Sequence, residues 1–317
     1  MQRIPDGETG DRQNWIVFQL EKFWQTPGLE QAAADPRWEG SGQMPRVRLA
    51  DGVEPDAVDW PSLGYADVYR ESYATFDRLR DEGVIPAGVR FQAQFPTPLA
   101  SINVWVVPED QDRLEPSYEA ALFGELDRLL DAVPQHDLAI QWDVAAEVAI
   151  LEGGVERTAS QGFDAIVERL VRCVQRVPPE VPVGLHLCYG DYQHRHFMPP
   201  ASLELQVRLA NAVTAGASRS VDWLAFTVPQ DRDDASYFEP LAQLDVPSAT
   251  ELYFALVPYH PDDQPAGVPE AQAQLVERHI GEREWGICTE CGMGRVDRAD
   301  VPNLLDLHRE LLATLAA

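Results

Sequence analysis

The sequence predicts an α/β protein of the (β/α)8 TIM barrel type, and three observations carry that prediction. Short apolar runs of strand length alternate with longer amphipathic helical patterns along most of the 317 residues, which implies parallel strands with helices packed outside them. Seven such runs are present, close to the eight strands of the barrel. No Gly-x-Gly-x-x-Gly follows an early strand, so the usual dinucleotide cradle of the competing doubly wound sheet is missing.

Taken in order, the opening "RIPDG" reads as a strand, followed by a helix carrying Trp15, Phe18, Phe23 and Trp24 as expected core residues. Residues 33–62 break the rhythm with scattered Pro, Gly and Asp and are expected to form a long loop over one end of the barrel. "VRFQAQF" (89–95) and "DLAIQWD" (137–143) are the next strands, separated by a helix marked by Tyr118, Leu122, Leu126, Leu129 and Leu130. A helix bearing Ile166, Leu170 and Val174 encloses Cys173, expected as a plain core cysteine. The strand "PVGLHLCY" (182–189) precedes a helix with Leu203, Leu209, Ala210 and Val213, and "VDWLAFTV" (221–228), "ELYFALV" (251–257) and "EWGICTE" (284–290) complete the set. The whole chain, 1–317, is expected to be a single barrel domain.

With 45% hydrophobic and 24% charged residues the chain can bury a large core. The net charge of -27, with Lys22 the only lysine, repels phosphate backbones and anionic membranes and argues against nucleic acid or lipid headgroups as partners. No apolar run approaches the roughly 20 residues of a membrane span, and the N-terminus lacks a signal-peptide pattern. A cytoplasmic location is expected, in which Cys173, Cys188, Cys288 and Cys291 stay thiols.

Functional groups of a parallel barrel gather at the C-terminal ends of its strands. Those ends carry Asp6 and Glu8, Thr97 and Ser101, Asp143, His186 and Cys188, Thr227, His260, and finally Cys288, Glu290 and Cys291. His186 and Cys188 lie two apart on a strand and point the same way. Joined by Cys291 they make a soft set of one imidazole and two thiolates, which suits tetrahedral zinc with a fourth position open to substrate. Such a metal activates a bound thiol and favours alkyl transfer to sulfur. Cys288 is a further candidate ligand, and Cys288-Thr-Glu-Cys291 also has the spacing of a redox dithiol. Arg12 and Arg195 are candidate carboxylate binders. His194 and His196, which follow the metal strand, read as solvated loop residues with substrate contact as the alternative, and His136, His279 and His308 as structural.

At these residues a family resemblance begins. "LHLCYGDY" resembles the His-x-Cys segment of cobalamin-independent methionine synthase, and "CTECGMGR" resembles the segment carrying its later zinc cysteine. "PDGETGDRQNWI", "IQWDVAAE" and "PYHPDD" are similar to three further segments of that family in the same order. The resemblance implies that Glu8 and Asp143 hold a substrate amine, that His260 is a catalytic histidine and Asp143 a catalytic residue as well, and that one zinc is bound by His186, Cys188 and Cys291. Arg12 and Ser101 are added as substrate-binding candidates. In the family a glutamate completes the zinc shell, whereas this chain has Thr227 at the matching place. The family's folate-binding N-terminal barrel has no counterpart, and the chain starts at the family's second strand, so a barrel without its first strand and helix is expected. The same superfamily includes uroporphyrinogen decarboxylase and corrinoid-linked methyltransferases, and fold alone does not choose among them.

The expected function is therefore a zinc-dependent methyl or alkyl transferase acting on a small thiol or amino acid, with a methyl-folate or methyl-corrinoid as donor. A metal-free, decarboxylase-like lyase on an acidic substrate and a non-catalytic binding barrel are the alternatives.

Overall fold

The computed structural model describes residues 2–32, 45–155, 158–192, 195–196, 200–259 and 264–315, with the side chains of residues 15, 191, 192, 195 and 196 outside the description. The chain divides into two compact units, Met1–Ile140 with Glu156–Gly162 and Gln141–Val155 with Phe163–Ala317.

The first unit begins with β1 (Arg3–Pro5), a 3-10 segment (Gly10–Gln19) and α1 (Leu20–Gln25). Then come β2 (Leu29–Gln31), β3 (Val47–Leu49), α2 (Tyr65–Asp81), β4 (Arg90–Pro96), α3 (Pro98–Trp105), α4 (Pro108–Ala132) and β5 (Leu138–Val144), whose last residues enter the second unit. Local chemistry accounts for the helix starts. Thr97 caps α3 by accepting the amide of Ala100 at 3.2 Å, with Pro98 at the first helical position. The start of α2 is capped from another helix. Glu125 of α4 accepts the amides of Leu63 (2.7 Å), Gly64 (3.1 Å) and Ala66 (2.9 Å) and pairs with Arg128.

Part of the stretch expected to be a loop at 33–62 is regular structure. Val47–Leu49 pairs antiparallel with Leu29–Gln31, burying Val47 and Leu49 while Arg48 faces out. Asp110 of α4 accepts the Leu49 amide at 2.9 Å, and Val107 donates to the Val47 carbonyl at 3.0 Å. Farther along, the Trp60 indole donates to Ser117 at 3.0 Å and its ring lies 5.0 Å from those of Phe23 and Tyr118. Three-residue strands are too short to show as periodicity, and their partners are distant in sequence. Residues 33–44 lie outside the described part. Phe23 is core as expected, but Trp24 is 40% exposed: adjacent residues on a helix face different ways, and only one can point inward.

The second unit continues with α5 (Ala146–Leu151), α6 (Phe163–Arg176), β6 (Val183–Leu187) and a small hairpin of β7 (Asp191–Tyr192) and β8 (Arg195–His196). It ends with α7 (Glu204–Gly216), β9 (Trp223–Phe226), α8 (Ala235–Phe238), β10 (Glu251–Ala255), α9 (Val268–Ile280), β11 (Trp285–Cys288) and α10 (Val301–Leu315). Cys173 is buried on α6 with Ile166, Leu170 and Val174, the stripe read from the sequence.

Seven strands share one sheet in the order β1-β4-β5-β6-β9-β10-β11, and the ladders β1–β4, β6–β9, β9–β10 and β10–β11 are all parallel. These are the seven strands expected from the sequence. No described helix is long and apolar enough to cross a membrane.

Candidate metal centre

In the second unit, register places large side chains beside small ones along one face of the sheet. Gly184 of β6 pairs with Trp223 of β9; His186 pairs with Ala225, Ala225 with Tyr253 of β10, and Tyr253 with Gly286 of β11. A Cβ on Gly184 would lie 2.1 Å from the Trp223 ring, and one on Gly286 would lie 2.7 Å from the Tyr253 ring. Both glycines are therefore the space into which an aromatic ring lies. The Trp223 indole donates to Gln141 at 3.3 Å, and the Gln141 amide donates to the Asp143 carboxylate at 2.9 Å. Asp143 is thus anchored at the end of β5 through the same indole that covers Gly184. Gly184→Ala is expected to destabilise the protein by about 1–3 kcal/mol, because the buried indole must move to admit the methyl group. A melting temperature equal to wild type would contradict this account of the register.

Alternation along β6 puts His186 on the face of Gly184, and the extended chain carries Cys188 to the same side. Cys188 is buried, and its amide donates to the Val144 carbonyl at 3.1 Å, fixing it at the strand end. The chain then turns at Gly190, whose φ of 70° is in the left-handed region. This turn brings the Gly190 amide within 3.4 Å of the Cys188 sulfur. Cys291, beyond the end of β11, brings its sulfur to 3.4 Å from that of Cys188.

The ligand atoms of His186, Cys188 and Cys291 all lie within 4.8 Å of one another. Tetrahedral zinc with bonds of about 2.3 Å to sulfur requires a sulfur–sulfur separation of about 3.8 Å, and the observed 3.4 Å lies within a few tenths of an ångström of that separation. The two sulfurs are too far apart for a disulfide bond, which is about 2.05 Å long, and both residues are free thiols. The donor set fits a soft, thiophilic metal.

Cys288 does not join this group. It sits on β11 opposite Ala255. Desolvation, followed by the charges of Cys291 and Glu290, pushes its thiol up to about 12, which keeps it protonated at neutral pH and a poor metal ligand. Thr227, at the place where the resembled family has a glutamate, is fully buried.

The first unit holds the other candidates. Asp6 extends the β1–β4 ladder through its amide to the Gln92 carbonyl at 2.9 Å, and its carboxylate forms a buried ion pair with Arg12. The Arg12 guanidinium also lies over the Tyr69 ring, 4.8 Å from its centre. Burial alone would lower the Arg12 pKa, but Tyr69 and Asp6 more than offset this and hold it above its ordinary value. Glu8 adopts a φ of 46°, a conformation uncommon for a residue with a side chain. Ser101 is fully buried on α3, its hydroxyl beside that of Tyr118 on α4.

His260 and His194 lie outside the described residues. Arg195 and His196 form β8, with their side chains outside the description.

Two residues missed in the sequence support the centre. Thr289 donates to the Cys291 carbonyl at 2.7 Å, and Gln206 of α7 bonds both backbone groups of Thr227. Gln206 was detectable: it stands three residues after Leu203 and three before Leu209, a polar residue on a buried helical face.

No family model matches the chain, and no curated protein sequence matches it. Among solved structures it is similar to a B12-independent methionine synthase from Shewanella sp. W3-18-1, determined in complex with selenomethionine. The TM-score is 0.61 at 13% identity, over 100% of this chain and 84% of that one. At that identity the likeness shows the fold, a parallel α/β sheet of the TIM-barrel-like kind.

Proposed function

We propose that the protein is a zinc-dependent methyl or alkyl transferase that activates a small thiol. The convergence of the His186, Cys188 and Cys291 ligand atoms within 4.8 Å carries this reading. These three residues would hold the metal and leave one tetrahedral position for the substrate sulfur. When bound, zinc supplies acidity, so that a coordinated thiol is held as a thiolate near neutral pH. With the metal held, the two cysteine thiolates would offset its charge, and the Gly190 amide, 3.4 Å from the Cys188 sulfur, would steady that ligand. Asp143, whose carboxylate accepts the Gln141 amide at 2.9 Å, is proposed to bind the ammonium group of an amino acid substrate. Glu8 is proposed as a substrate-binding residue, and His260 as the proton donor or electrostatic partner of the reaction.

The test joins metal analysis to transfer. Protein expressed with added zinc is expected to carry about one equivalent, and less than about 0.2 equivalents would remove the mechanism. The loaded enzyme is then offered small thiols with methyl-folate or methyl-corrinoid donors, and S-methyl product is sought by mass spectrometry. Full zinc loading without product from any of these pairs would leave a metal site but overturn the assigned transfer.

A further inference from the structure

We propose that Thr227 and Gln206 are positioning residues of the metal centre, which hold the turn bearing Cys291 at the distance from Cys188 that one ion requires. This assignment rests on the metal-binding reading above. Cys188 and Cys291 are separated by 103 positions in sequence, so some structure must register the end of β6 against the turn after β11. Thr227, just past the end of β9, is bonded to both. Its amide donates to the carbonyl of Leu187, the residue between His186 and Cys188, at 3.1 Å. Its hydroxyl donates to the carbonyl of Glu290, the residue before Cys291, at 3.3 Å.

Thr227 is itself held from behind. The Gln206 side-chain amide donates to the Thr227 carbonyl at 2.8 Å, and its oxygen accepts the Thr227 amide at 3.0 Å. Both residues are fully buried, so neither bond competes with water; the Thr227 amide is shared between Leu187 and Gln206, and losing Gln206 leaves the Thr227 carbonyl with only the longer Tyr237 contact. The Tyr237 hydroxyl also reaches the Thr227 carbonyl, at 3.5 Å, and meets the Tyr189 hydroxyl at 3.0 Å. On the far side, Thr289 braces the turn through the Cys291 carbonyl, and the Val257 amide donates to the Cys288 carbonyl at 3.1 Å. The Thr227 hydroxyl therefore acts on the centre through the backbone, not as a metal ligand.

Groups that orient ligands without touching the ion typically account for 10–100-fold in metal affinity. The experiment uses the full-length chain and measures zinc affinity by competition with a chromophoric chelator, and cobalt binding by absorption. Thr227→Val keeps the shape and removes the hydroxyl; it is expected to weaken zinc binding by about 10–100-fold. It should also lower the thiolate-to-cobalt charge-transfer band towards that of a one-thiolate site. Thr227→Ser is expected to bind as wild type, and Gln206→Leu to weaken binding in the same direction as Thr227→Val. Should the valine variant give no cooperative melt, Thr227→Ala is judged by the same criteria. Wild-type affinity and an unchanged cobalt spectrum in the folded valine or alanine variant would overturn the assignment alone. A wild-type protein that binds neither ion would overturn the metal reading and this assignment with it.

Discussion

Cys291→Ser is expected to weaken zinc binding by more than about 100-fold, beyond the range caused by losing groups that only orient ligands. Serine keeps the size of the side chain but offers a neutral hydroxyl, a poor ligand for a thiophilic ion. The remaining His186 and Cys188 cannot complete a stable site. Cys188→Ser should behave alike, since the two sulfurs stand 3.4 Å apart and face one point. Cys288→Ser is the informative control. Its thiol is held protonated and outside the cluster, so this variant should retain about one zinc per chain at the stoichiometry of a single site. Zinc content measured on the three purified variants decides the matter, and equal loss in all three would mean that the ligand set is wrong.

Glu125→Ala is expected to lower the unfolding free energy by about 3–5 kcal/mol, the largest effect anticipated away from the metal centre. The carboxylate is buried and accepts three backbone amides at the start of α2, together with the Ser62 hydroxyl at 3.2 Å. Alanine would leave those amides without an acceptor where water cannot easily reach. Burial by itself would raise the Glu125 pKa, but Arg128 and the amides of Ala66 and Gly64 outweigh it and hold the carboxyl below its ordinary value. A depressed folded-state value means that the carboxylate's stabilisation is complete above the ordinary glutamate range. It is lost as pH falls through the depressed value. Glu125→Gln, which keeps one acceptor oxygen, should therefore lose less than alanine, and its deficit should narrow in acid. Urea midpoints at neutral and acid pH provide the readout; matching wild-type and alanine midpoints at neutral pH would refute the capping role.

Legibility in the sequence followed the range of the interactions. All seven strands of the parallel sheet were visible as apolar runs bounded by breakers, because each depends on its own residues facing a core. The shared face of His186 and Cys188 was visible for the same reason: two residues apart on a strand fixes direction without any partner. The pairs β2–β3 and β7–β8 were not visible, since two or three residues carry too little pattern. Arg12 read as a free carboxylate binder because its partners, Asp6 and the Tyr69 ring, are brought to it by folding.

What the chain determined by itself was its class of architecture and the chemical types of its site: a parallel α/β scaffold, an imidazole and thiols at strand ends, and a strongly acidic composition. Tertiary structure brought together His186, Cys188 and Cys291, the three joined from the sequence, without Cys288, the further candidate. It also decided that Glu125 caps a distant helix and that Gln206 and Thr227 brace the metal turn. Periodicity is written into neighbouring residues, whereas a contact across 103 positions depends on strand order and register, which exist only once the sheet has formed.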